Sequence, residues 1–349
     1  MSALAKYLIK LGKTVYCSDR EESSFTRELG EMGIEIDINN FNDVNLKISE
    51  VIVYTDAIPP TDFRLVQAQR QNKEIISRGQ FLYEISRSFS SVIAFSGCHG
   101  KTTCTAMAAH VFNCAKKNFT SHVGGRDLSF SNFYSTGNDY FLTEACEYKK
   151  NFLLLKPNIA VVLNANPDHL ECYGSEENLK KAYSVFLECA DVAISLYADC
   201  VVKGGITFGF DNRANYYATK IKNDMGKYSF FAHENGRQLG EIKLNVYGKH
   251  NVLNALAVIA VSRSVGIAFC DIKRGLCEFV GVERRFENIG NYNGAQVIAD
   301  YAHHPDEIKA VLRVAKKITV GDLYVVFQPH TYSRTKTMFK RFVAILSSV

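Results

Sequence analysis

The sequence predicts an α/β protein made of three units, and three observations carry that prediction. Short apolar runs alternate with helically spaced stretches along most of the chain. The length of 349 residues exceeds one ordinary core. Residues 91–105 set an apolar run, a glycine loop and a Lys-Thr pair in the order a phosphate-binding loop requires. A hydrophobic content of 47% and a charged content of 22% are those of a soluble globular protein. The net charge of +5 comes with no Lys/Arg run, which argues against a nucleic-acid specialist and leaves small anionic substrates open. Ten cysteines are scattered without a Cys-x-x-Cys pair, so they read as reduced thiols of a cytoplasmic protein, not a disulfide framework or a zinc site. No signal peptide or membrane span is expected, since the most apolar helix, around 255–261, is flanked by Asn254 and Arg263.

The first unit, 1–88, opens with helical spacing over 1–11, capped by Gly12. A strand at 14–17 leads to Ser18-Asp19, followed by a helix at 25–30 and a strand at 34–36. The strand at 51–54 ends in Thr55-Asp56-Ala57-Ile58-Pro59; a helix at 62–71 and a strand at 74–76 lead to Ser77-Arg78-Gly79-Gln80. This is a nucleotide-binding α/β pattern that starts on a helix, without a first strand and its glycine turn, so the unit reads as incomplete. Asp19 stands about where a ribose-contacting acid follows the second strand.

The second unit, 89–280, begins with the strand 91–95. Gly97 and Gly100 bracket a tight loop, and Lys101, Thr102 and Thr103 open a helix through 105–111. Glycines let backbone N–H groups approach an anion, the helix start adds partial positive charge, and Lys101 adds a full one. Phe95 stands where the usual motif has its first glycine, and the plain alternative is a glycine turn with an incidental lysine. Strands at 139–143 and 158–163 end in Glu144-Ala145-Cys146-Glu147 and in Asn164 through His169. Lys101, Glu144 and His169 thus each follow a strand end, and in a parallel sheet such ends line one crevice. Thr102 and Glu144 are expected to hold Mg²⁺, and neutral His169 a second cation. Taken singly, Glu144 could be a solvated loop acid and His169 a helix-start residue bonded to backbone. A helix follows at 176–190; residues 206–247 read as an antiparallel insertion or side sheet. Tyr247-Gly248-Lys249-His250-Asn251 opens a helix to Val265, where Asn251 and Asn254 either cap the helix or reach a bound base.

The third unit, 281–349, follows Arg284-Arg285-Phe286-Glu287 with a hairpin at 288–295 and a strand at 296–299. Asp300-Tyr301-Ala302-His303-His304-Pro305 then starts a helix whose Pro305, Asp306 and Glu307 suit its first turn. A strand at 323–327 ends in Gln328 through Thr335, and a helix at 337–346 closes the chain. Two strands cannot cover two helices, so this unit also reads as incomplete.

Together these motifs resemble the Mur ligases, the ATP-dependent amino-acid ligases of peptidoglycan synthesis, and most of all their alanine-adding branch. Gly97-Cys98-His99-Gly100-Lys101-Thr102-Thr103 is similar to the family's ATP loop, where the position of Phe95 is not glycine either. Glu144 is similar to its Mg²⁺-binding acid, and Asn164 to Leu170 to its Asn-x-x-x-Asp-His-Leu run. His250-Asn251 with Asn254 resembles the ATP-contacting helix start, and Arg284-Arg285 the hinge into the last domain. The segment 300–305 and Gln328-Pro329-His330 with Tyr332, Arg334 and Thr335 resemble the alanine-adding branch.

The resemblance implies a Rossmann-like UDP-substrate domain, a central P-loop ATPase-like domain and an incomplete Rossmann-like ligase domain. It implies ATP and Mg²⁺, with UDP-N-acetylmuramate and L-alanine as substrates, joined through an acyl phosphate. ATP contacts are expected from Gly97 to Thr103, His250, Asn251, Asn254, Arg285, Asp300 and Tyr301. UDP-substrate contacts are expected from Ser18, Asp19, Thr55 and Arg78. Lys101 and His169 would act on the phosphoryl transfer; His330 and Arg334 would hold alanine or the charge of the tetrahedral intermediate, their plain alternative being a solvated surface loop. Residues 194–209 read as about one helix shorter than the family's. A monomer or weak homodimer is expected, without nucleic acid or membrane as partner. Rival readings are a tripeptide-adding or folate polyglutamate ligase, or a nucleotide-binding fragment without activity.

Overall fold

A computed structural model describes residues 1–39, 42–166, 170–199, 201 and 204–349. The first unit runs α1 (Ser2–Lys10), β1 (Tyr16–Asp19), α2 (Ser24–Glu31), β2 (Glu35–Ile38), α3 (Asp43–Ile48), β3 (Val51–Tyr54), α4 (Phe63–Arg70), β4 (Glu74–Ser77) and α5 (Arg78–Ser86). Gly12 closes α1 with a φ of 72°, the left-handed turn expected of it. β1 pairs in parallel with β2, and β3 with β4, but the two pairs form separate ladders. The single nucleotide-binding sheet expected here is thus two parallel pairs, because no described strand lies between β1 and β3 to bond both. α5 was not expected, although its start is a capping box in which Ser77 Oγ accepts from Gln80 N and Gln80 Oε1 from Ser77 N.

The central unit is one mixed sheet with helices on both faces. Its strands are β5 (Ser91–Ser96), β6 (Phe119–Asp127), β7 (Ser131–Ser135), β8 (Tyr140–Glu144), β9 (Ile159–Val162), β10 (Val192–Leu196), β11 (Ile206–Gly209), β12 (Tyr216–Asp224), β13 (Lys227–Glu234) and β14 (Arg237–Tyr247). Its helices are α6 (Lys101–Cys114), α7 (Leu170–Tyr173), α8 (Glu176–Glu188), α9 (His250–Ser264) and α10 (Phe269–Glu278). The strand order is β14-β13-β12-β11-β10-β9-β5-β8-β6-β7, and β9, β5 and β8 are neighbours in parallel. Residues 206–247, expected as an antiparallel insertion or side sheet, instead extend this sheet: β11 pairs in parallel with β10 and β12, and within this stretch β12, β13 and β14 run antiparallel.

Side chains of β5 alternate between the two faces, as a strand requires. Ile93 and Phe95 enter a core with α6, α9 and α10, while Val92 and Ala94 enter one with α1, α5 and α8. α9 is buried on nearly every side, from Val252 to Val261, which explains its apolar composition without amphipathic period.

The third unit has the hairpin β15 (Glu287–Tyr292) and β16 (Ala295–Ala299), then α11 (Pro305–Ile318), α12 (Tyr332–Thr337) and α13 (Phe339–Leu346). Residues 323–327, expected as a strand, are not one. No described strand lies alongside to accept their ladder bonds, and Tyr324 and Val326 are exposed. The helix expected at 337–346 is α13, and a short further helix, α12, precedes it across Met338 where none was expected.

Candidate active site

The loop between β5 and α6 turns through two glycines with positive φ, 123° at Gly97 and 91° at Gly100. Both also lack room for a side chain. A Cβ at Gly97 would lie 3.0 Å from the backbone N and O of Asn164, and one at Gly100 would lie 2.6 Å from Asn254 Oδ1. Asn164 ties the loop to the end of β9: its Oδ1 accepts from His99 N at 3.1 Å and its Nδ2 donates to His99 O at 2.8 Å. Gly100 is the N-cap of α6, so the loop's backbone opens on a helix N-terminus, where an anion is favoured.

Lys101 lies within this loop. Its Nζ donates to Gly97 O at 2.5 Å and to Cys98 O at 3.3 Å, and both carboxylate oxygens of Glu147 lie 3.0 Å away. Burial alone would lower the Lys101 ammonium; Glu147, with Cys146 and Cys98, outweighs it and holds the group above its ordinary value. The lysine is therefore a cation at every physiological pH. Glu147 is itself buried, and Tyr173 Oη donates to its carbonyl at 2.5 Å.

The loop and Glu144 come together as the strand order requires, with Thr102 as the residue in contact. β5 and β8 are adjacent, with Phe95 opposite Glu144. Thr102 Oγ1 donates to Glu144 Oε2 at 3.1 Å, and Gly124 N donates to Glu144 Oε1 at 2.5 Å. A hydroxyl and a carboxylate oxygen side by side are hard donors of the kind Mg²⁺ takes, so the residues fit that ion. The third member of the expected set, His169, lies outside the described residues.

Beside the loop is a cavity of about 350 Å³ shared by the second and third units. His99, Gly100, Thr102 and Thr103 line one end, and His250, Asn251, Asn254, Arg285 and Asp300 line the rest with Leu163, Phe279 and Val314. Asn254 Nδ2 donates to Asn251 Oδ1 at 2.8 Å, and Asn251 Nδ2 to Tyr247 O at 2.7 Å, so these amides brace one another and the helix start. His250 keeps part of its surface open to the cavity, yet burial, then Arg285 and His99, push its imidazole down to about 4. Asp300 accepts from Phe286 N at 2.8 Å and Ala302 N at 2.7 Å, fastening the hinge to the end of β16; burial raises its carboxyl despite these bonds.

Glu307, expected only to match a helix dipole, reaches across to the loop. Its Oε1 lies 3.0 Å from His99 Nδ1 and 3.8 Å from Arg285 Nη1, while its Oε2 accepts from the backbone N of His303 and His304. Burial would raise this carboxyl; the His99 bond and the fields of His99, His303 and Arg285 hold it well below the usual range. Tyr301 stacks under Arg284 and Arg285. His330 lies with its ring 5.3 Å from His303 and 6.2 Å from Tyr301; neither it nor Arg334 lines the cavity.

The expected UDP-substrate residues stand in the first unit, apart from this cavity. Ser18 Oγ accepts from Arg64 Nη1 at 3.2 Å, Asp19 Oδ1 from Arg20 N at 2.7 Å, and Thr55 Oγ1 meets Ala57 N at 3.5 Å. Arg78 is half-buried at the start of α5. Sequence reasoning named none of Glu147, Asn164, Glu307 or the pair Gly124-Gly125 as a site residue. Only the glycine pair had a local signal, since consecutive glycines in a strand mark a close approach; the others are decided by partners distant in the chain.

Comparison with known proteins covers all three units. Residues 1–90 match the family described as Mur ligase family, catalytic domain; residues 95–262 match the Mur ligase middle domain; residues 284–349 match the Mur ligase, glutamate ligase domain. The UDP-N-acetylmuramate–L-alanine ligase of Clostridium botulinum (strain Eklund 17B / Type B) is 39% identical, over 98% of this chain and 77% of its own. Among solved structures, the UDP-N-acetylmuramate-alanine ligase of Thermotoga maritima is 32% identical with a TM-score of 0.86, covering 97% of this chain and 80% of that one. A murein peptide ligase from Psychrobacter arcticus is similar at 25% identity and a TM-score of 0.75, over 91% of this chain and 74% of its own.

Proposed function

The chain belongs to the Mur ligase family, and from that premise we propose that it joins L-alanine to the carboxylate of UDP-N-acetylmuramate at the expense of ATP. This is a step of peptidoglycan precursor synthesis. The observation that carries the reading is that Thr102, which lines a cavity shared by the second and third units, bonds Glu144 while the next residue, Lys101, is held in the glycine loop by Glu147.

A carboxylate is a poor electrophile, so its oxygen first takes the γ-phosphoryl group of ATP, with ADP leaving, in the acyl-phosphate route of this family. The α-amine of alanine then attacks the acyl carbon, loses a proton, and phosphate departs. Lys101 and the amides of Gly97 to Thr103 hold the β- and γ-phosphates, and positioning with charge stabilisation accounts for most of such a transfer. Thr102 and Glu144 would hold Mg²⁺, which supplies positive charge beside the moving phosphoryl group. His169 is the proposed second cation ligand. His250, Asn251, Asn254, Arg285, Asp300 and Tyr301 enclose the nucleotide, and neutral His250 offers it a hydrogen bond without adding charge. His330 and Arg334 hold the alanine carboxylate or the tetrahedral intermediate. Ser18, Asp19, Thr55 and Arg78 contact the UDP substrate. The units are taken as 1–88 for the UDP substrate, 89–280 for ATP and 281–349 for the ligase domain. A monomer or weak homodimer in the cytoplasm, where ATP and UDP-sugars are found, fits this role.

The test is phosphate release with UDP-N-acetylmuramate, ATP and each amino acid in turn. Release should require alanine, and Lys101→Ala should reduce it at least about a thousandfold in a chain that still folds, with a lowered melting temperature because Glu147 is left buried without its partner. ATP binding without alanine-dependent release, or release with a tripeptide instead, overturns the reading.

A further inference from the structure

We propose that Gly124 and Gly125, at the end of β6, are positioning residues for both oxygen donors of the cation site and set how tightly it holds a divalent ion. The inference rests on the reading of Thr102 and Glu144 as cation ligands. Two neighbouring residues touch two different donors. A Cβ at Gly124 would lie 2.8 Å from Glu144 Oε1 and 3.0 Å from Oε2. A Cβ at Gly125 would lie 3.0 Å from Thr102 Cγ2 and 3.0 Å from Val282 Cγ1. Consecutive residues of a regular strand face opposite sides. Here the pairing of β6 with β7 shifts register between His122 and Asp127, and that irregularity lets both glycines attend to one site.

Neither glycine has a left-handed φ, so space, not backbone conformation, is what excludes a side chain. Glu144 has little room to give way. Its Oε1 accepts from Gly124 N, its Oε2 accepts from Thr102 Oγ1, and its backbone is held opposite Phe95 in the sheet. On the far side of Gly125, the segment 281–283 is fastened to the same strand. Glu283 N donates to Arg126 O at 2.8 Å, and Leu128 N to Gly281 O at 3.2 Å. A methyl group at 125 would therefore wedge between Thr102 and that segment, and one at 124 would push the carboxylate away from the hydroxyl.

The experiment measures Mn²⁺ binding to the full chain with ADP, by electron paramagnetic resonance of the free ion. Wild type should bind Mn²⁺, and Glu144→Ala should lose it; failure of either overturns the underlying reading of the ligands. Once that holds, Gly124→Ala and Gly125→Ala should each weaken Mn²⁺ binding about tenfold. Both variants should still fold, with melting temperatures lowered by the crowding, and their metal-free affinity for ADP should remain that of the wild type. Unchanged Mn²⁺ affinity in both variants overturns the inference. Thr102→Ser keeps the oxygen and removes Cγ2, so adding it to Gly125→Ala should recover most of the lost affinity. Recovery with Val282→Ala instead would show that the methyl group acts through the 281–283 segment, and would overturn the inference for Gly125.

Discussion

A buried ion needs a partner of opposite charge, and at the scale of single residues that requirement shapes this site. Lys101 answers to Glu147 and to two loop carbonyls, and Glu307 to His99 and Arg285. His122 solves the same problem by staying neutral. It is buried in β6 with Nδ1 3.0 Å from Thr143 Oγ1. Burial, then the charges of Arg78 and the amino terminus, push its imidazole well below the ordinary value of 6.5. In the unfolded chain it takes up a proton near pH 6.5, which the folded chain refuses. Its contribution to stability is therefore complete above that pH and is lost as pH falls from there toward the folded value. Urea unfolding at pH 7 and pH 5 should show wild type losing more stability than His122→Val. The excess cannot exceed about 1.4 kcal/mol per pH unit for one group; equal losses would mean that the imidazole is already charged in the fold.

At the scale of elements, the layer behind the phosphate loop depends on a close approach of two helices. A Cβ at Gly275 in α10 would fall 2.5 Å from Val111 Cα and 2.7 Å from Val111 N in α6. Backbone cannot move aside as a side-chain end can. Gly275→Ala should therefore destabilise the fold by about 1–3 kcal/mol, seen as a lower urea midpoint, in spite of the better helix propensity of alanine. α10 was not expected from the sequence, although Phe269, Ile272, Leu276 and Phe279 repeat at helical spacing. β6 and β7 were also missed, since Thr120, Ser121, His122 and Asn132 hide a buried strand pair behind polar residues. By contrast β3, α4 and α8 lie close to where their apolar runs and caps put them. Residues 323–327 show the opposite limit: a β-prone run without a neighbour to pair with has no ladder to join.

At the scale of the whole molecule, the first and third units are attached to the centre differently. Lys6 of α1 is buried against β7, with bonds to Ser131 and Asn132 and an ion pair to Glu28. The third unit meets the phosphate loop through Glu307 and His99, beside a cavity. Glu307→Gln keeps an acceptor for the backbone of His303 and His304 but removes the charge facing His99. Amide exchange measured by mass spectrometry should then quicken about fivefold at 97–100 and 303–308, and not in β5 or α9, for a loss of ~1 kcal/mol. Unchanged exchange in those two segments would show that the contact does not hold the units together. In this chain, the alternation of apolar runs, the glycine loop and the ordered motifs after each strand were enough by themselves to predict the α/β class, the family and the placing of the glycine loop beside the strand that ends in Glu144. Such features are local, or follow from the rule that parallel strands end on one edge. Tertiary structure alone decided that Glu147 neutralises Lys101, that Asn164 locks the loop, that Glu307 crosses to His99, and that 206–247 extends the main sheet. Each of these is a contact between positions far apart in the chain, and its energy depends on burial and distance, which no single stretch of sequence contains.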